Sequence, residues 1–111
     1  MSMRTLARSR RYLVEHEYES ASVTGPDGLR MPIGEFYGDP AVAVIDVAER
    51  WCAVAGEGVI VCSLVPGGEC VDYFRSAGET VWVSGLRQTG AFSLELLCED
   101  GAVRVIDFGA A

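Results

Sequence analysis

Short hydrophobic runs separated by glycine and proline dominate this chain. Valine, isoleucine and aromatic residues cluster in these runs, and turn-forming residues interrupt them about every ten residues. This spacing is typical of an antiparallel β protein, because βα units need longer helical segments between their strands. The pattern predicts a mainly β fold with about seven or eight strands and at most a short N-terminal helix. A sandwich, a curved sheet and a small barrel fit it equally well.

The most apolar part of the sequence predicts a central hairpin. Segments 51–55 and 59–62 are apolar at nearly every position, and the sequence Gly-Glu-Gly at 56–58 lies between them. Strands of this kind are covered on both faces, so we expect them at the centre of the core. A three-residue turn at 56–58 places Cys52 opposite Cys62.

A second hairpin is predicted near the C-terminus. Segment 94–108 contains two apolar runs around the Asp-Gly pair at 100–101, a pair that favours two-residue hairpin turns. Such a turn pairs Cys98 with Val103 and leaves apolar residues of both strands on one face.

The first eleven residues differ from the rest of the chain in charge. They hold four of the nine arginines and lean helical, so residues 1–11 are predicted to be a basic, flexible segment. Residues 12–111 carry five arginines against sixteen acidic residues, a net charge of −11. Within them, residues 12–24 predict one strand with a solvated face. A chain of 111 residues is short for two domains, so we expect one acidic β domain over 12–111.

Composition narrows the class of protein. Half of the residues are hydrophobic and 23% are charged, which is typical of a folded globular protein. No apolar run approaches the ~20 residues of a membrane-spanning helix, and arginines interrupt any secretory signal at the N-terminus. We therefore expect a soluble cytoplasmic protein that does not bind membranes. Its acidic body would repel nucleic-acid phosphates and attract basic protein surfaces.

Candidate catalytic and metal-binding residues are few. The four cysteines contain no Cys-x-x-Cys pair, and His16 is the single histidine, so the sequence predicts no metal site and no cofactor. A nucleophilic triad would depend on His16, which lies in an alternating row typical of an ordinary strand. We expect reduced, buried cysteines, with Cys52 and Cys62 as the candidate bridge in an oxidised protein.

A recognisable pattern occupies residues 33–64. Tyr-Gly-Asp-Pro at 37–40 is followed by an apolar residue and Ile-Asp at 44–46, by Trp-Cys at 51–52, and by Gly-x-Gly at 56–58 before an apolar strand. This stretch resembles the small bacterial immunity proteins encoded beside polymorphic or contact-dependent toxins. The resemblance implies a protein that neutralises a cognate toxin by stoichiometric binding and active-site masking, without catalysis.

The implied partner is a toxin domain with a basic surface, such as a nuclease, because acidic side chains can take the place of phosphates. Charged loop residues and two aromatic anchors are the predicted contacts, and such proteins can also form homodimers. The predicted contact residues are Asp39, Glu49, Trp51, Glu57, Asp72 and Tyr73.

Two other function classes fit the same sequence. A small-molecule-binding β barrel or minor enzyme would have a deep apolar pocket with a carboxyl group of raised pKa. A structural or oligomerising module would pair its exposed edge strands with another copy and double its mass in light scattering.

Overall fold

The computed structural model describes residues 3–65 and 68–109, and every regular element in these residues is a β-strand. The prediction of a mainly β fold is confirmed, although the structure has eleven strands instead of about seven or eight. The strands are β1 (Arg4–Arg8), β2 (Leu13–Glu17), β3 (Ser20–Thr24), β4 (Arg30–Glu35), β5 (Val42–Ile45), β6 (Trp51–Gly56), β7 (Gly58–Ser63), β8 (Cys70–Tyr73), β9 (Val83–Gly90), β10 (Ser93–Cys98) and β11 (Val103–Asp107).

The strands form three antiparallel sheets, and in each sheet every pair of neighbouring strands is consecutive in sequence. The first sheet has the order β1-β2-β3-β4, the central sheet β5-β6-β7-β8, and the third sheet β11-β10-β9. The larger number of strands arises partly from residues 12–24. The sequence predicts one strand there, whereas the chain reverses at Tyr18, whose φ is +51°, and so forms both β2 and β3.

The central sheet packs against both other sheets. Cys52 and Val54 of β6 belong to a core shared with Val14 of the first sheet. The alternate residue Ala53 belongs to a second core, shared with Leu94 of the third sheet. Successive side chains of a strand point to opposite faces, so a strand buried on both sides must be apolar throughout. The predicted central position of β6 and β7 is confirmed.

The N-terminal segment contains a strand where the sequence leans helical. Arg4 pairs with His16 and Arg8 with Leu13, so β1 forms an edge of the first sheet. Leu6 packs against the first core. Partial burial of this side chain, together with the pairing to β2, outweighs the weak local helical preference, as tertiary packing commonly does.

The C-terminal hairpin has a different register from the predicted one. Leu97 pairs with Val103, and the Cys98 N–H donates to the Ala102 carbonyl at 2.9 Å. The turn therefore contains three residues and ends at Gly101, whose φ of +89° suits a type I turn with a bulge. This shift moves Val103 to the outer face opposite Leu97, where Leu97 is 49% and Val103 58% exposed.

The expectation that the cysteines are reduced is wrong for one pair. Cys52 lies opposite Cys62 as predicted, but the disulfide joins Cys62 to Cys70. The Ser63 N–H donates to the Glu69 carbonyl, which makes the adjacent Cys62–Cys70 pair a non-hydrogen-bonded pair. Side chains lie closer together in such pairs, which favours Cys70 over Cys52 as the partner.

Candidate functional site

The predicted contact residues lie at two ends of β6. Glu49 and Trp51 are at its start, whereas Glu57 follows its end. The Asp39 carbonyl packs beside Gly56, next to Glu57. Asp72 is in β8, which pairs with β7, and both Asp72 and Glu57 lie within 4.0 Å of Arg75. The structure thus brings Asp39, Glu57 and Asp72 together and separates them from Glu49 and Trp51.

Trp51 is not the exposed anchor that the sequence predicts. Only 3% of this residue is accessible, and its indole N–H donates to the Ala91 carbonyl at 2.8 Å. Its ring meets that of Phe108 edge to face, with the centroids 4.8 Å apart. Tyr73 is half-buried and packs against the second core. Packing between sheets covers the rings of Trp51 and Tyr73, and the hydrophobic pattern of one strand does not reveal such packing.

Glu49 fastens the N-terminal segment to the central sheet. Its Oε2 accepts hydrogen bonds from the Ser9 hydroxyl and the Arg11 N–H, and the Arg11 Nε donates to Oε1 at 2.8 Å. The bonds from Ser9 and Arg11 lower the pKa of Glu49 to about 2, although burial opposes this shift. Both carboxylate oxygens of Glu49 accept hydrogen bonds from within the chain. These bonds do not support its predicted role as a free contact residue.

Close by lies an ion pair between a buried carboxylate and a half-exposed arginine, which the sequence analysis missed. The Asp46 carboxylate is fully buried, and it accepts hydrogen bonds from Arg50 Nε at 2.6 Å and Gln88 Nε2 at 2.8 Å. Burial raises the pKa of this carboxyl group, but the bonds from Arg50 and Gln88 outweigh it and hold the pKa well below its usual range. The sequence did contain a signal for this ion pair, since Asp46 directly follows a predicted strand and lies four residues before Arg50.

An aromatic cleft of about 220 Å³ lies beside this ion pair. The residues that line it are Arg50, Trp51, Val61, Ser63, Glu69, Val71, Tyr73, Phe92 and Phe108. Its volume is below the range of about 300–1,000 Å³ common for ligand pockets. The pKa values of the Asp46 and Glu49 carboxyl groups are both lowered. A general acid at neutral pH needs a raised pKa instead.

Two exposed aromatic rings stand at the other end of β6. Tyr37 is 74% exposed and Trp82 is 42% exposed, and their rings meet edge to face with centroids 6.3 Å apart. Glu57 holds both residues. Its Oε1 accepts the Tyr37 N–H at 2.8 Å, and its backbone forms a β-bridge to Trp82. Because one residue fixes the backbone of both, the pair is pre-organised.

Arg75 lies beside Glu57, the residue that holds the aromatic pair. Its NH2 donates to the Glu35 carbonyl and lies 3.4 Å from Glu57 Oε1, and its guanidinium lies 4.9 Å from the centre of the Phe36 ring. Its side chain is 19% exposed. The positive charge is therefore largely covered, whereas the neighbouring Asp72 side chain faces solvent.

Exposed acids border the two rings. Asp39 is exposed two positions after Tyr37, and the Asp72 side chain is 65% exposed at 4.0 Å from Arg75. We name the set Tyr37, Asp39, Glu57, Asp72 and Trp82 the Tyr37–Trp82 surface. The sequence analysis selected its three acids, but as aromatic anchors it favoured Trp51 and Tyr73 over Tyr37 and Trp82. The Gly-Asp-Pro turn directly after Tyr37 was the signal for exposure there.

Comparison with protein-family models, with curated proteins and with solved structures found no significant match. Within residues 3–65 and 68–109, no group of three or more His, Cys, Asp or Glu side chains is placed to hold a metal ion. The same residues include no helix long and apolar enough to cross a membrane. The single histidine, His16, is buried in β2, where its Nδ1–H donates to the Tyr18 carbonyl at 2.8 Å.

Proposed function

We propose that this protein is an inhibitory binding protein that neutralises a cognate bacterial toxin in the cytoplasm, and that it binds through the Tyr37–Trp82 surface. The partner is a folded domain with a basic surface, such as a nuclease. The protein covers the active site of this partner stoichiometrically and catalyses no reaction itself. The observation that carries the proposal is the exposed aromatic pair, which Glu57 fixes and exposed acids border.

The aromatic pair supports a protein partner. Tyrosine and tryptophan dominate the binding energy of protein interfaces, because they bury a large apolar area at a small cost in side-chain entropy. Tyr37 and Trp82 are held before any partner arrives, through the contacts of Glu57. A pre-organised surface loses less freedom on association, which strengthens binding.

The distribution of charge supports a basic partner. The chain carries sixteen acidic residues against nine arginines, and four of these arginines are in the first eleven residues. At the Tyr37–Trp82 surface Asp39 and Asp72 face solvent, whereas the side chain of Arg75 is largely covered. Opposite charges across an interface speed association and exclude wrong partners.

Co-expression with the product of the neighbouring open reading frame tests the proposal. A tagged chain should capture that product in a one-to-one complex and restore growth of cells that express it. If the product is toxic and neither capture nor rescue occurs, the inhibitor proposal is wrong.

Variants of the two rings locate the surface. Tyr37→Ala and Trp82→Ala should each weaken the complex by about thirtyfold, the effect of an interface hot spot of about 2 kcal/mol. The matched control is Leu29→Ala, which removes a side chain that is 67% exposed in the β3–β4 turn. Equal weakening by the control and by the ring variants would place the interface elsewhere.

Charge reversal tests the electrostatic part. Asp39 and Asp72 are the suitable positions, because the carboxylates of Glu49 and Glu57 hold other parts of the chain in place. Asp39→Lys with Asp72→Lys should slow association about tenfold at low salt and less at high salt, since ions screen exposed charges. An association rate that changes neither with salt nor with charge reversal contradicts this part of the proposal.

A further inference from the structure

Three cysteines lie in one row across the central sheet. Cys52 of β6 pairs with Cys62 of β7, and Cys62 pairs in turn with Cys70 of β8. Directly opposed residues point to the same face of a sheet, so all three sulfur atoms lie on one side. Cys52 and Cys62 both belong to the core shared with the first sheet. Cys62 therefore has a cysteine neighbour on each side.

Both neighbours are within reach of a disulfide. The Leu64 N–H donates to the Arg50 carbonyl two positions along the ladder, which makes Cys52 and Cys62 a hydrogen-bonded pair. The Cα atoms of such pairs are about 5.5 Å apart, and disulfides usually span about 4.4–6.8 Å. The existing bond to Cys70 occupies the other, non-hydrogen-bonded side of Cys62.

The outer two cysteines differ in exposure. Cys52 is a free thiol with no accessible surface, and burial raises its pKa to about 12. Cys70 is exposed on β8, which is an edge strand of the central sheet. A reagent in solution therefore reaches Cys70 more readily than Cys52.

We propose that this row is a thiol–disulfide exchange site, in which Cys52 displaces Cys70 from Cys62 and leaves Cys70 as a surface thiol open to reversible thiolation. When a local opening of the sheet admits solvent, Cys52 Sγ gives its proton to hydroxide, and the resulting thiolate bonds to Cys62 Sγ. The Cys62–Cys70 bond breaks, and Cys70 Sγ leaves with the electron pair and takes up a proton. The number of disulfides stays constant, so the step requires neither an oxidant nor a reductant.

The exchange moves a covalent link within the central sheet. Before it, the disulfide ties the edge strand β8 to β7, whereas afterwards the link joins β6 to β7 inside the core. Released Cys70 can then form a mixed disulfide with a small disulfide such as oxidised glutathione, which loses one glutathione thiolate. This inference rests on the register and exposure of the cysteines and is independent of the proposed function.

An alkylation trap tests the exchange in the wild-type chain. The disulfide-bonded protein is incubated with iodoacetamide at mildly alkaline pH without any added thiol, and then digested with a glutamate-specific protease. Cleavage after Glu49, Glu57, Glu69 and Glu79 places the three cysteines on the separate peptides 50–57, 58–69 and 70–79. Mass spectrometry under non-reducing conditions then identifies which peptides are linked.

The expected product links peptide 50–57 to peptide 58–69 and carries the alkyl group on Cys70. Alkylation of Cys52 with the Cys62–Cys70 bond retained would overturn the proposal, and so would a Cys62–Cys70 bond that remains unchanged throughout. A parallel incubation with oxidised glutathione in place of iodoacetamide should attach glutathione to Cys70.

Single variants identify the attacking thiol. Cys52→Ser should lower alkylation and glutathionylation of Cys70 by about tenfold or more, because no adjacent thiol remains to open the bond. Cys98→Ser removes the other buried free thiol and should leave both reactions at the wild-type level. If Cys98→Ser abolishes the reaction and Cys52→Ser does not, the assignment of Cys52 is wrong.

Discussion

Asp46 and Glu49 show how single carboxylates connect distant parts of this chain. Asp46 joins the turn after β5 to Gln88 of β9, and Glu49 in the same turn joins the central sheet to Ser9 and Arg11. A carboxylate that accepts several hydrogen bonds is stabilised in its charged form, which is why both pKa values are lowered. Each carboxylate contributes to stability where an exposed acid would contribute little.

Replacing the buried acid should destabilise the fold. Asp46→Asn keeps the side-chain shape but removes the charge that Arg50 and Gln88 face. We expect the free energy of unfolding to fall by about 2–3 kcal/mol, measured by urea denaturation at neutral pH. The control Glu95→Gln breaks an exposed ion pair with Arg87 and should change stability by less than about 0.5 kcal/mol. Equal effects would contradict the role of Asp46.

Glu49 should make the stability of the fold depend on pH in the acidic range. Its pKa is about 2 in the folded protein and 4.5 in the unfolded reference, so the unfolded chain binds the proton more tightly. The stabilisation is complete above about pH 4.5 and is lost as the pH falls toward about 2. The difference in Tm between wild type and Glu49→Gln, followed by circular dichroism, should therefore shrink over this range. A constant difference would show that Glu49 does not titrate in this way.

At the scale of elements, turns decide the registers of the hairpins. The Gly58 turn pairs Ala55 with Val59, as the sequence predicts, whereas the turn that ends at Gly101 contains one residue more than predicted. The Asp-Gly pair suits both a two-residue turn and a three-residue turn with a bulge. Burial in β11 decides between them, because only the longer turn places Ile106 opposite Leu94, on the face of the second core.

Two glycines in these turns differ in their surroundings and provide a matched test. Gly58 has a φ of +69°, and a Cβ atom there would lie 2.1 Å from Arg75 Cγ and 2.7 Å from the Tyr73 carbonyl oxygen. Gly101 has a φ of +89° with open space around it. Gly101→Ala should cost about 1–2 kcal/mol from backbone strain alone. Gly58→Ala should cost about 3 kcal/mol or more, since steric overlap adds to the strain. Urea denaturation of both variants checks this order, and a reversed order would contradict it.

At the scale of the whole molecule, two cores share one sheet. The side chains of β6 alternate between the core with the first sheet and the core with the third sheet. A loss of packing on one side therefore weakens the strands that support the other side. We expect the three sheets to unfold together in one transition.

Two leucines of β10 test this coupling. Leu94 has no accessible surface, whereas Leu97 is 49% exposed on the outer face. Leu94→Ala should lower the free energy of unfolding by about 2–5 kcal/mol, and Leu97→Ala by less than about 1 kcal/mol. Far-ultraviolet and near-ultraviolet circular dichroism should report the same midpoint for Leu94→Ala. Separate midpoints would show that the two cores unfold independently.

The candidate surface could be predicted only in part. The acids Asp39 and Glu57 follow from their positions in turns, where charged residues stay near solvent in most folds. Asp72 is instead an exposed residue of the edge strand β8. The aromatic anchors did not follow, because Trp51 and Trp82 both flank apolar strands in the sequence. Only the stacking of the third sheet on the central sheet buries Trp51 and leaves Trp82 exposed.

The sequence by itself determined the β class, the central position of β6 and β7, and the pairing of Cys52 with Cys62. These features depend on local alternation and turn chemistry, which neighbouring residues encode. Only the tertiary structure decided that Arg4–Arg8 forms a strand and that Cys62 bonds to Cys70. Both outcomes depend on which segments lie beside each other after folding. A strand pattern states what each segment can pair with, whereas packing of the three sheets selects the pairs that form.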